Sequence, residues 1–223
     1  MAGPTIKLGL HAHGPLAVPH VGRGTAILDT GANTSVTAVP MGQLPAMHTA
    51  SGGTVTFTGP RPRSHDLPLD VLAVYGLDVL KASTLDMCPF SDGMRWSLGD
   101  PSPPPAWTRV PTRFRTHLEV QVLVDGLEQW WVLDTGAAAS AVHVEQPQCA
   151  HPHTLLVHPA RKVPSCPVTT TVTFGGIQRR VKVLRRRLNS PLQGLLGMDL
   201  LLGTKLHMYS AADGDWVVHV GGC

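Results

Sequence analysis

Residues 26–36 read "AILDTGANTSV" and residues 131–142 read "WVLDTGAAASAV". The pentapeptide Leu-Asp-Thr-Gly-Ala thus occurs twice in a chain of 223 residues, 105 positions apart, each time behind a short apolar run. A short apolar run that meets a polar, glycine-containing segment reads as a strand ending in a tight bend. Gly31 and Gly136 permit that bend, and each copy leaves one carboxylate on it, Asp29 or Asp134.

The repetition extends outward from these two turns. "TVTFTG" (54–59) matches "TVTFGG" (171–176) at an offset of 117, and "GLDVLKASTLDMCPFSDG" (76–93) matches "GMDLLLGTKLHMYSAADG" (197–214) at 121. The lead-ins "IKLGLHAHG" (6–14) and "LEVQVLVDG" (118–126) also resemble each other, each alternating and then turning at Gly. Collinear matches in one order predict an internal duplication. The expected division is an N-terminal lobe over 1–98, a Pro-rich linker over 99–111 ("GDPSPPPAWTRVP") and a C-terminal lobe over 112–223. The proline density of the linker favours an extended, helix-free connection.

Within each unit the pattern is that of strands. "TIKLGL", "HLEVQVLV", "GTVTF", "TTTVTF", "RRVKVL" and "DWVVHV" are short and β-branched, and many alternate. After GLD and GMD, "VLKAS" and "LLLGT" each suit one short helix, with Asp78 and Asp199 expected as caps near its start. Composition agrees: 23 Gly and 20 Pro with only 5% aromatics fit many short strands joined by turns better than a helical bundle. With 43% hydrophobic and 15% charged residues the chain can bury a core, which excludes disorder of the whole. The net charge of +3 is mild and argues neither for nor against an anionic partner, and no apolar run reaches the length of a membrane span. Four cysteines, Cys88, Cys149, Cys166 and Cys223, form no Cys-x-x-Cys pair. With no apolar leader in "MAGPTIKLGLHAHG", they read as free thiols in a reducing, cytoplasmic setting.

Two aspartates on equivalent turns can do what one cannot. Brought together, two carboxylates cannot both ionise, so they share a proton; the ionised one can activate water and the protonated one can polarise a carbonyl. The two halves resemble protomers of the retropepsin-type aspartic proteases. Each has an alternating strand, then two apolar residues and Asp-Thr-Gly-Ala, then two apolar residues and Gly before a short helix ("AILDTGA" with "AVYGLD"; "WVLDTGA" with "LLGMD"). The resemblance implies an all-β, two-lobed retropepsin/pepsin-like fold with pseudo-twofold symmetry and one short helix per lobe. It also implies an aspartic endopeptidase acting on peptide or protein substrates without cofactor or metal, as a monomer that is its own pseudo-dimer. Asp29 and Asp134 would then be the catalytic dyad. Thr30 and Thr135 would interlock beneath it, and Gly31, Ala32, Gly136 and Ala137 would complete the turns. A peptide-binding scaffold of the same fold without turnover is the competing reading.

Two departures from the pepsin pattern matter. Ala32 and Ala137 stand where pepsin-type members usually carry Ser or Thr, so the dyad lacks a hydroxyl donor and should work at mildly acidic pH. The interval from the catalytic Asp to the Gly closing TVTF-x-G is 30 residues in the first unit and 42 in the second. The extra length predicts one flap, from the second unit, over "TLLVHPARKVPSCPVTT" (154–170), with only "LPAMHTASGG" (44–53) in the first. The basic run "QRRVKVLRRR" (178–187) reads as a solvated strand edge rather than a nucleic-acid surface. Cys149, His151, His153, His158 and Cys166 match no usual metal-ligand spacing. Of Trp130 and Trp131, one is expected in the core.

Overall fold

The computed structural model describes residues 5–10, 16–19, 24–38, 47–48, 54–55, 63–65, 67, 71–81, 83–88, 93–98, 106–149, 153–158, 161–189 and 191–222. The first half carries β1 (Thr5–Leu10), β2 (Leu16–Pro19), β3 (Thr25–Leu28), β4 (Val36–Ala38), β5 (Met47–His48), β6 (Thr54–Val55), β7 (Arg63–His65), β8 (Val71–Tyr75), α1 (Leu77–Leu80), β9 (Ser83–Cys88) and β10 (Gly93–Leu98). The second half carries β11 (Thr108–Val110), β12 (Thr112–Phe114), β13 (Leu118–Val124), β14 (Leu127–Leu133), β15 (Ala141–His143), β16 (His153–His158) and β17 (Arg161–Phe174). It continues with β18 (Ile177–Arg186), β19 (Gly194–Leu196), α2 (Met198–Leu201), β20 (Thr204–Ser210) and β21 (Trp216–Gly222). The fold is all-β and two-lobed, with one short helix in each half, as the alternating patterns require.

The two halves meet in one sheet, through which the order runs β11-β21-β20-β9-β10-β1. At its centre β9 pairs antiparallel with β20: Leu206 faces Met87, His207 faces Asp86 and Met208 faces Leu85. Leu85 and Met87 are the sequence counterparts of Leu206 and Met208, so the pairing exchanges equivalent positions, which is what a twofold axis does. The axis crosses the sheet at Asp86 and His207, whose Oδ1 and Nδ1 lie 2.5 Å apart. Leu85, Met87, Leu206 and Met208 are buried and pack with Trp96, Val218 and Val220 into a single core. Burying a Leu or Met side chain is worth about 1.5–3 kcal/mol each, so this row fastens the halves together.

Each half then folds on the same plan. In the first, β3 runs parallel to β8, β8 antiparallel to β4, and β4 parallel to β7. In the second, β14 runs parallel to β19, β19 antiparallel to β15, and β15 parallel to β18. There the sheet closes on itself, because β17 pairs with both β18 and β13. Leu118, Val120, Val122 and Val124 alternate into this barrel, the period-two burial that a strand imposes. Of the tryptophan pair, Trp131 is fully buried, while Trp130 lies under the Arg113 guanidinium, 4.2 Å from its ring centre.

Three expectations need correction. The lead-ins 6–14 and 118–126 are not counterparts: β1 pairs with β10 at one side of the central sheet as β11 pairs with β21 at the other. The counterpart of β1 is therefore β11 with β12, and that of β13 is β2; alternation alone had matched strands of different position. Second, Cys149 and Cys166 are not free thiols. They form a disulfide, because β17 carries Cys166 alongside the segment that follows β15, with Cα atoms 5.9 Å apart. Their sulfurs are thus committed to each other. Third, the helices begin two residues earlier than expected, so Asp78 and Asp199 lie inside the first turn behind Gly76 and Gly197, and neither caps the helix end.

The basic run forms β18, which has β17 on one side and β15 along its C-terminal part. It is therefore not a free edge there. Gln178, Arg180, Lys182 and Arg185 are exposed, whereas Val183 and Arg186 are buried. Of the stretch 99–111, residues 99–105 lie outside the described residues, and β11 is part of the central sheet.

Candidate active site

Each Asp-Thr-Gly turn follows the strand that runs parallel to the strand before the helix. The Asp29 amide donates to Tyr75 O at the end of β8 (2.9 Å), and the Asp134 amide to Leu196 O at the end of β19 (3.0 Å). Two adjacent parallel strands thus deliver each aspartate to the same edge of its lobe.

The turns then lock into each other. Thr30 Oγ1 donates to Leu133 O at 2.6 Å and accepts the Thr135 amide at 3.0 Å. In return, Thr135 Oγ1 donates to Leu28 O at 2.6 Å and accepts the Thr30 amide at 3.0 Å. Both threonines are fully buried, so all four polar groups depend on the opposite half for partners.

This lock sets the carboxylates against one another. A methyl group on Gly31 would sit 2.8 Å from Asp134 Oδ1, and one on Gly136 would sit 2.6 Å from Asp29 Oδ2. Only glycine leaves room for the opposing carboxylate. Asp29 Oδ1 accepts the amides of Gly31 (2.8 Å) and Ala32 (3.1 Å), and Asp134 Oδ1 accepts the amide of Gly136 (3.1 Å). Burial pushes both carboxyl groups above the usual range. Asp134 is raised further, by burial first and then by the negative charge of Asp29, to which its carboxyl is hydrogen-bonded. Two carboxyl groups hydrogen-bonded to each other in this way titrate as a pair rather than singly.

Behind each turn is a clip that the sequence reading missed. Asp78 accepts the Ser35 amide (3.0 Å) and hydroxyl (2.6 Å), while Ser35 Oγ accepts the Gly76 amide (2.9 Å). Asp199 does the same with Ser140 at 2.9 and 2.6 Å, and Ser140 Oγ accepts the Gly197 amide at 2.9 Å. The clip fixes the turn to the helix start. The signal was present: a Ser six residues after the Asp of each Asp-Thr-Gly and an Asp two residues after each helix-start Gly. Gly76 and Gly197 are required there, since a Cβ at Gly76 would lie 2.6 Å from Ala32 O and one at Gly197 2.7 Å from Ala139 C.

All eight residues expected at the site, Asp29, Thr30, Gly31, Ala32, Asp134, Thr135, Gly136 and Ala137, therefore lie on these two facing turns. Each half also carries a hairpin after its turn. In the first, β5 and β6 form a separate two-stranded ribbon with Met47 opposite Val55. In the second, β16 and β17 form a longer one, with His158 opposite Arg161 near its tip and His153 opposite Ser165 toward its base. The Cys149–Cys166 bond ties that base to the body of the lobe.

No family model and no curated protein matches this chain. Among solved structures it is similar to that titled basic 7S globulin from soybean, with a TM-score of 0.53 over 98% of this chain and 94% of that one. Sequence identity is 10%, so the likeness is one of fold, and that fold is pepsin-like.

Proposed function

We propose that the chain is an aspartic endopeptidase that hydrolyses peptide bonds at a single site made by Asp29 and Asp134. The supporting observation is the reciprocal lock of Thr30 and Thr135, which brings the two partly buried carboxyl groups face to face. Asp29, with two amide donors on Oδ1, suits the ionised state, and Asp134 the protonated one. Asp29 takes a proton from a water as that water's oxygen adds to the scissile carbonyl carbon, and Asp134 donates its proton to the carbonyl oxygen. A tetrahedral gem-diol results. Its collapse returns a hydroxyl proton to Asp134 and breaks the C–N bond as the proton on Asp29 passes to the leaving nitrogen, so the dyad recovers its starting state.

Substrate would lie extended across the cleft between the lobes, with backbone hydrogen bonds to a hairpin and side chains in alternating pockets. The β16–β17 hairpin is the flap of this reading, and the β5–β6 ribbon is its shortened counterpart. Incubation of the wild type with a peptide library between pH 3 and 8 is the test, beside Asp29→Asn and Asp134→Asn. Cleavage by the wild type alone supports the proposal. Peptide capture without any cleavage would point to a binding protein of the same fold.

A further inference from the structure

The connection between β12 and β13, residues 115–117, belongs to the second half of the chain yet rests on the first catalytic turn. The Asn33 side-chain amide donates to Thr116 O, and His117 Nδ1 lies 2.9 Å from Gly31 O. A carbonyl oxygen can only accept, so Nδ1 carries hydrogen whatever the charge of the ring. The carbonyl belongs to the Gly31–Ala32 peptide, and the N–H of that same peptide donates to Asp29 Oδ1 at 3.1 Å. One amide plane thus joins imidazole to carboxylate, and each bond polarises the next. A second proton on the ring goes to Nε2 and places a full positive charge behind Asp29.

We infer that His117 is a positioning residue that makes Asp29 the ionised member of the dyad and extends activity to lower pH. The inference rests on the protease reading for its consequence, though not for the coupling itself. Attraction to His117 favours the Asp29 carboxylate, opposing the larger effect of burial. The charges around His117 leave it free for this role. Arg113 on β12 is bound to Glu119 on β13, its Nε at 2.6 Å and Nη2 at 2.5 Å. Arg115, on the same connection, is exposed to solvent. From the first turn, uncharged Asn33 and the carboxyl of Asp29 act on this connection.

The test is a carbon-13 titration of the Asp29 carboxyl in the wild type and in His117→Gln, which keeps an amide donor but cannot be charged. The kcat/KM profile against pH is measured on the same samples. Asp29 should titrate about 0.5–1 pH unit higher in the variant, with the acidic limb of the rate profile moving by the same amount. A purely structural role would lower the rate at every pH and leave the limb in place, and an unmoved Asp29 titration overturns the inference. If H117Q does not fold, His117→Asn gives the same comparison. A shifted Asp29 titration in a chain that cleaves nothing would defeat the protease reading and leave the coupling standing.

Discussion

Replacing Thr135 by Val keeps the shape of the side chain and removes its hydroxyl. Leu28 O loses the donor it has at 2.6 Å, and the Thr30 amide loses the acceptor it has at 3.0 Å. Both groups sit where water does not reach, beside two fully buried threonines. A buried polar group left without a partner costs about 1–3 kcal/mol, so the substitution should cost about 2–6 kcal/mol. That is a large share of the roughly 5–15 kcal/mol that holds an ordinary protein folded. For a chain of this size, about 2–4 °C of melting temperature is lost per kcal/mol, which sets the expected drop near ~10 °C. Thermal unfolding followed by circular dichroism reads it directly, with Thr108→Val, at an exposed position of β11, as the control expected to stay within about 0.5 kcal/mol. Thr30→Val should cost the same through the mirror-image bonds. If either variant melts within ~2 °C of the wild type, the reciprocal lock is not what joins the two turns.

Further consequences follow from neighbouring residues. Ser35→Ala and Ser140→Ala each remove a 2.6 Å bond to the clip aspartate and the acceptor of a helix-start amide, and each should cost about 1–3 kcal/mol in urea unfolding. Gly136→Ala puts a methyl 2.6 Å from Asp29 Oδ2, so turnover should vanish while far-ultraviolet circular dichroism is retained; unchanged turnover would contradict the facing geometry. Asp29 and Asp134 carry raised pKa values, so the stability they contribute is complete below the unfolded value of 3.8 and is lost as pH climbs through the folded values. The melting temperature of the double variant Asp29→Asn/Asp134→Asn, minus that of the wild type, should therefore grow from pH 4 to pH 7; a constant difference would show that burial does not strain the dyad. Reducing the Cys149–Cys166 bond, which spans 17 positions, should lower stability by about 3 kcal/mol, with thiol counting before and after to confirm the species.

The doubled Asp-Thr-Gly-Ala carried most of the fold and the whole expected site into view, because a carboxylate on a glycine turn behind an apolar strand has few structural solutions. Strand alternation was a weaker guide. It identified β1 and β13 as strands but equated them, since alternation records which face is buried and not which neighbour pairs. Pairing is set by partners distant in sequence, such as Trp96 opposite Ile6 and Val220 opposite Thr108. The disulfide was hidden for the same reason: cysteine spacing says nothing of which strand brings Cys166 beside Cys149. Asp78 and Asp199 looked like helix caps because a local partner is the natural expectation for an aspartate near a helix start. Their actual partners, Ser35 and Ser140, lie 43 and 59 positions away. His117 gave no signal at all, since its contact crosses from one half to the other.

The claim that one chain builds one catalytic site from both halves is open to a single titration. Peptide hydrolysis by a fixed concentration of chain, confirmed monomeric in solution, is followed as a tight statine-type transition-state mimic is added. Activity should fall linearly and reach zero at one inhibitor per chain. An endpoint at one inhibitor for every two chains, or two inhibitors per chain, would contradict the pairing of Asp29 with Asp134 within the same molecule.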